Sequence, residues 1–290
     1  MTTVVLPIFL FIGTIVYILC GVVGFLFLER RLSALVEHRS GHEFSLRALM
    51  ATFMGEKKTA HSNADTSRTM SLIFYFWLLL PVLFIFFLFG ASILSDTVAS
   101  LPALFLVALF SLVLEVVFVH YCTDALEREG WRSRLTFRFA GVSALAVTFW
   151  VVALNSGNLS LWQISLWQEK LLFPLFLSSP GALLSALMAF LVISALTRFD
   201  LQEQEKANHL RGRWQRYISL NKRAWLIGFS SLWVFCFFGS GTGFLATGSF
   251  PIKVAALLLL LICLQISLPA IRSTDLTESF FGVLLKVTML

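Results

Sequence analysis

Charged side chains are scarce in this sequence. Asp, Glu, Lys and Arg make up 13% of the 290 residues, apolar types make up 58%, and the mean hydropathy is +0.86. Soluble globular domains carry about a quarter charged residues, so lipid rather than water is implied as the principal solvent. Closely spaced cysteines are absent as well. Cys20, Cys122, Cys236 and Cys263 lie inside or at the ends of apolar blocks, without the pairing that holds zinc or an iron–sulfur cluster, and read as small buried hydrophobes. No glycine-rich phosphate loop, Cys-x-x-Cys pair, metal-spaced histidine set or nucleophile elbow occurs, so nothing in the chain alone indicates a cofactor of its own. The formal charge of +6 does not argue for nucleic acid, because an excess of Lys and Arg in a membrane protein reports topology.

What the chain does have is apolar blocks of about twenty residues along its whole length, each able to cross a hydrocarbon core of roughly 30 Å as a helix. The blocks are continuous, as in Ile73 to Gly90, and show no alternation of the kind a barrel strand needs. The expectation is an all-α polytopic integral membrane protein, a single domain over 1–290. Its membrane helices are placed at 5–28, 71–95, 99–122, 137–156, 172–196, 224–247, 252–271 and 277–290. The first block runs straight into Glu29, Arg30 and Arg31 with no cleavage site, and reads as a retained helix and not a signal peptide.

Charge is distributed unevenly around these blocks. The polar segments 29–70, 123–136 and 197–223, together with Arg272, hold 18 of the 22 Lys and Arg residues. The positive-inside rule therefore puts these segments in the cytoplasm and the N-terminus outside. Within the first of them, Phe44, Leu46, Leu49, Met50 and Phe53 fall on one helical stripe, suggesting a short amphipathic helix along the membrane or under a partner. Trp77, Trp150, Trp162, Trp167 and Trp225 lie near block ends, where interfacial belts prefer them.

Three groups of polar residues stand out. Glu29, Arg30 and Arg31 sit where the first helix meets the cytoplasm, as helix-end anchors do. Asp200, Glu203 and Glu205 lie in a mixed-charge segment followed by Arg211, Arg213 and Arg216. They read either as a solvated loop or as acids turned toward a wet cavity, where lost hydration favours the protonated form. Glu115 is embedded in the apolar run Leu104 to Val119. A carboxylate at such depth marks function or snorkels to the interface. His120 is five residues away, roughly 140° around a helix, and is not on the same face.

The order of these features resembles one family: the membrane subunit joining the peripheral and membrane arms of respiratory complex I, with its counterparts in energy-converting and formate-linked NiFe hydrogenases. Phe27-Leu-Glu-Arg-Arg-Leu, followed by His38-Arg-Ser-Gly, is similar to that family's Glu-Arg-Arg segment and the turn after it. Gly55-Glu56-Lys57 and Ala64-Asp65 resemble the end of its first cytoplasmic loop, and Leu161 to Gln168 its Ile-Val-x-x-Gln stretch before Pro180. Phe199-Asp-Leu-Gln-Glu-Gln-Glu resembles its Phe-Asp-Leu-Pro-Glu-Ala-Glu-Gln-Glu, and Leu268-Pro-Ala-Ile-Arg-Ser-Thr-Asp-Leu with Lys286 its closing motif.

The resemblance implies an anchoring and coupling subunit without redox centres. Iron–sulfur clusters, a NiFe centre or flavin would reside in peripheral redox subunits on the cytoplasmic face, a quinone would sit at the interface where there is one, and antiporter-like subunits would adjoin it in a bacterial or archaeal cytoplasmic membrane. Glu29, Glu203 and Glu205 match the family's acidic positions, with Arg30 and Arg31 alongside, and Asp200 and Glu115 complete the coupling candidates. The sequence departs from the pattern at His42, Ala207 and Arg216. It also has no carboxylate in 138–147 or 182–196, so a charge path needs waters or acids from partner subunits. A stand-alone ion channel or secondary transporter is the other reading, suited to Glu115 and to the interrupted helix around Ser178 to Gly181.

Overall fold

The computed structural model describes residues 2–36, 68–91, 94, 98–122, 125–171, 174–206, 213–239 and 244–267. The expected amphipathic helix at 44–55, the helix at 277–290, and the motifs at 38–41, 55–65 and 268–276 lie outside these residues. The described part is all-helical: α1 (Thr2–Val36), α2 (Arg68–Phe89), α3 (Leu101–Cys122), α4 (Ala125–Ser156), a short α5 (Leu161–Glu169), a 3-10 turn (Leu175–Leu177), α6 (Pro180–Lys206), α7 (Arg213–Phe238) and α8 (Phe244–Ser267). Among the described residues, four apolar stretches are long enough to cross a bilayer, Leu6–Glu29, Leu72–Phe89, Leu135–Ser156 and Pro180–Thr197, with shorter ones at Leu101–Val117 and Ser249–Leu264.

Several helices run past the ends of their apolar blocks. Hydropathy ends the span preceding Thr197 and starts the next at 224, yet α6 continues to Lys206 and α7 begins at Arg213. Likewise α4 starts at Ala125, twelve residues before its apolar block at 137. Charged residues such as Glu, Lys and Arg are good helix formers, so a helix that leaves the hydrocarbon has no reason to stop there.

Neighbouring helices pack in the order α1, α2, α3, α4, α6, α8 and back to α1, a closed ring with α7 inside it. From Ala224 through Phe237 every α7 side chain except Trp233 is buried, as expected of a helix with neighbours all round. Ring members keep lipid-type surfaces outward: Phe9, Leu72, Leu106, Leu154 and Ile252 are all highly exposed.

Lipid gives little hydrophobic drive for helix association, so close packing and interhelical hydrogen bonds carry it. Tyr17 Oη and Ser231 Oγ are 2.9 Å apart, joining α1 to α7. Trp233 Nε1 donates to the Ala186 carbonyl at 2.9 Å, joining α7 to α6, and Ser185 Oγ donates to the Thr148 carbonyl at 2.5 Å, joining α6 to α4. At the opposite end from the long charged segments, an antiparallel bridge between Ser100 and Ser160 ties the turns that start α3 and α5. There Gln168 Nε2 donates to the Cys236 carbonyl near the end of α7.

Two of the tryptophans expected at the membrane surface are instead in the bundle. Trp77 is 1% exposed, its ring beside that of Phe74, and Trp225 is 5% exposed, packed against Phe84 and Phe229. Trp150, at 48%, stays on the outside. The tightest helix contact is between α4 and α6, where a Cβ on Gly141 would stand 2.6 Å from Leu196 Cδ2. Gly141→Val is therefore expected to push these helices apart and cost about 1–3 kcal/mol of stability through overpacking, read as a lowered unfolding midpoint in detergent.

Candidate functional site: a charged cleft at one end of the bundle

The charged ends of α1, α4, α6 and α7 are brought together around one cleft, which encloses about 740 Å³ of empty space, part of it open to the exterior. Its walls are apolar, with Phe25 from α1, Val142 from α4, Ile193 from α6 and Phe229 from α7. Phe84, Trp225 and Phe229 form a mutual aromatic cluster beneath it, with ring centroids 5.2–5.5 Å apart. Trp225 is oriented by its Nε1, which donates to Ser111 Oγ at 3.1 Å. Thr197, at the rim on α6, turns its hydroxyl back to the Ile193 carbonyl at 2.6 Å.

Set in these walls are Glu115, Arg138, Lys222 and Arg223. Glu115 on α3 is 2% exposed, and its Oε2 accepts a charge-assisted hydrogen bond from Nη1 of Arg138 on α4, itself 7% exposed. Both side chains are buried, 9% and 3% exposed for Arg138 and Glu115, and the two charges face each other inside the bundle. The second carboxylate oxygen, Oε1, is buried and has no hydrogen-bond partner among the described residues. Arg223 Nη2 stands 3.3 Å from Oε2 of Glu29, joining the end of α1 to the start of α7. That second pair is more open, its side chains 16% and 22% exposed. Two residues before Arg223, both amide atoms of buried Asn221 lack a hydrogen-bond partner among the described residues. Buried polar atoms of this kind are where ordered water is usually held.

Of the residues expected from sequence, Glu115 lines the cleft, and Glu29 pairs with Arg223, which lines it too. Arg31 is exposed, with its guanidinium carbon 5.8 Å from the ring centroid of Phe27, the posture of a helix-end anchor. Arg30 precedes it on the same helix. Asp200, Glu203 and Glu205 lie on the helical continuation of α6, not in a loop. Glu203 is six residues beyond Thr197, roughly 9 Å along the axis at 1.5 Å per residue. Arg138 and Arg223 were not among the expected site residues. Arg138 carried a usable signal: it is the lone ionisable residue in 135–156, and a cation in an apolar helix needs a buried partner. No group of three or more His, Cys, Asp or Glu side chains suited to a metal ion occurs among the described residues.

No protein-family model matches the chain, and no curated protein matches it either. Among solved structures, the fold is similar to that of a chain in the membrane-bound sulfane sulfur reductase, an archaeal respiratory membrane complex. The TM-score is 0.72 at 15% sequence identity, and the match covers 97% of this chain and 95% of that one. At that identity the likeness is one of fold.

Proposed function

We propose that this chain is the membrane-embedded anchoring and coupling subunit of a multi-subunit respiratory redox complex of the complex I and NiFe hydrogenase kind. The redox centres reside in soluble partners docked on the charged end of the bundle, and antiporter-like membrane subunits adjoin it. The observation that carries this reading is the gathering of Glu115, Arg138 and Arg223 around one cleft, with Glu29 paired to Arg223, at the end from which the long charged segments emerge. The resemblance of the motifs around Glu29 and Phe199, and the near full-length fold likeness to a chain of a respiratory membrane complex, support it. The excess of Lys and Arg in those segments supports a cytoplasmic position for that end.

In this role the chain acts electrostatically. Electron transfer in the docked arm changes the charge or position of groups near Glu203 and Glu205; Glu29 and Glu115 respond in turn, biasing charge movement further along the membrane arm. The test is purification from native membranes in mild detergent, followed by mass spectrometry of the intact assembly. Iron–sulfur or hydrogenase-like subunits are expected to co-migrate with this chain in fixed proportion. A stable oligomer of this chain alone would reject the proposal in favour of a channel or transporter.

A further inference from the structure

Past the inner end of the cleft the charge stops. The stretches 101–114 of α3, 139–156 of α4, 180–197 of α6 and 224–238 of α7 hold no Asp, Glu, Lys, Arg or His. Leading away from Phe229, the deepest α7 residue in the cleft wall, these four helices are joined by a layer of rings. Phe105 of α3 packs on Phe149 of α4 with centroids 5.9 Å apart, Phe149 on Phe237 of α7 at 5.6 Å, and Phe237 lies 5.8 Å from Trp233, whose Nε1 is tied to the Ala186 carbonyl of α6. Phe149 and Phe237 are both 0% exposed. Phe229 and Phe237 are eight residues apart, so the layer is about 12 Å deep at 1.5 Å of rise per residue. Hydroxyls at this depth turn to backbone carbonyls, Thr148 to Leu145 at 2.8 Å and Ser185 to Thr148 at 2.5 Å.

We infer that the Phe105, Phe149 and Phe237 rings form a permeability seal, which closes the cleft toward the far side of the membrane and makes it accessible from the charged end alone. Ring faces offer no hydrogen bond, and apolar space of this kind stays dry. An ion entering the layer sheds its water and receives no polar partner in return, which is the dewetting principle by which hydrophobic constrictions block pores. Whatever enters the cleft from the charged end therefore leaves by that end or sideways, and not through the middle of this bundle. The seal is a property of the chain itself and does not depend on the partners proposed above. It also opposes the reading as a stand-alone channel, whose wet route would run through these rings.

The test uses the full chain in sealed membrane vesicles, with no electron donor present. Val142 lines the cleft, and Phe149 is seven residues on, two turns further along the same face of α4. In a chain freed of its own cysteines, Val142→Cys is expected to react with a hydrophilic methanethiosulfonate added on one side of the membrane only. Phe149→Cys is expected to stay unreacted from both sides. Reaction of Phe149→Cys overturns the seal, and so does an unreactive Val142→Cys, because a cleft closed to water needs no plug. The second measurement is passive proton entry after a pH step, read by an enclosed pH-sensitive dye. Phe149→Ala combined with Phe237→Ala is expected to speed entry at least about tenfold, the change that a barrier lower by about 1.4 kcal/mol gives. Trp150→Ala, which removes a ring from the outer face of the same helix, is expected to leave the rate at its wild-type value. A wild-type rate in the assembled double variant overturns the inference and leaves the docking function standing. If the double variant does not assemble, the cysteine reactions decide alone.

Discussion

Arg138→Met is expected to lower the stability of the solubilised chain by about 3–5 kcal/mol, because it removes one partner of a buried ion pair and leaves the other charge uncompensated. Glu115 is 2% exposed, so its charge is largely cut off from bulk water. Combining Arg138→Met with Glu115→Gln should restore most of the loss, since buried pairs replaced by neutral groups of similar size are often no less stable. Equilibrium unfolding in detergent of the wild type, both single variants and the double variant gives the coupling energy directly as a double-mutant cycle. A wild-type midpoint for Arg138→Met would mean that the pair is not sealed from solvent as the structure has it.

The second large effect is functional and should come with almost no change in stability. Glu29→Gln removes a pair whose side chains are 16% and 22% exposed, and half-open pairs contribute only about 0–1 kcal/mol. The complex should therefore assemble normally. Electron transfer should continue while ion uptake into sealed vesicles is lost, and the same outcome is expected of Glu203→Gln and Glu205→Gln on the extension of α6. Full ion uptake in Glu29→Gln would separate the α1 end from the path and confine it to anchoring. The two arginine–carboxylate pairs thus differ in exposure: the one at Glu115 is buried, and the one at Glu29 is more open.

Hydropathy alone gave the helical class, because lipid demands long apolar runs. It did not reveal where the helices end. The stretches 125–136, 197–206 and 213–223 are charged, and hydropathy cannot tell a charged helix from a charged loop. Consequently Asp200, Glu203 and Glu205 read as loop acids when they continue α6. The central place of α7 was also hidden, because a helix surrounded by others needs no apolar excess over those facing lipid.

At the site, Glu115 was conspicuous and its partner was not. Along α3 the neighbouring titratable residue in sequence is His120, whereas the counter-ion comes from the next helix, 23 residues on. Arg138 and Arg223 become site residues only once antiparallel packing is known, since nothing in their local sequence says which carboxylate they meet. Glu29 was legible through the resemblance of its Glu-Arg-Arg segment, but its tie to α7 was not.

Membrane-impermeant labelling of single cysteines, introduced at Ser62, Asn208 and Asn158 in a chain freed of its own cysteines, tests the central claim most directly. Ser62 and Asn208 lie in the charged segments, and Asn158 lies in the turn before α5 at the other end of the bundle. Labelling of Ser62 and Asn208 from the cytoplasmic side, and of Asn158 from the outer side, is the predicted result. Ser62 and Asn208 reacting from opposite sides would contradict it, since no single charged end could then receive a redox arm.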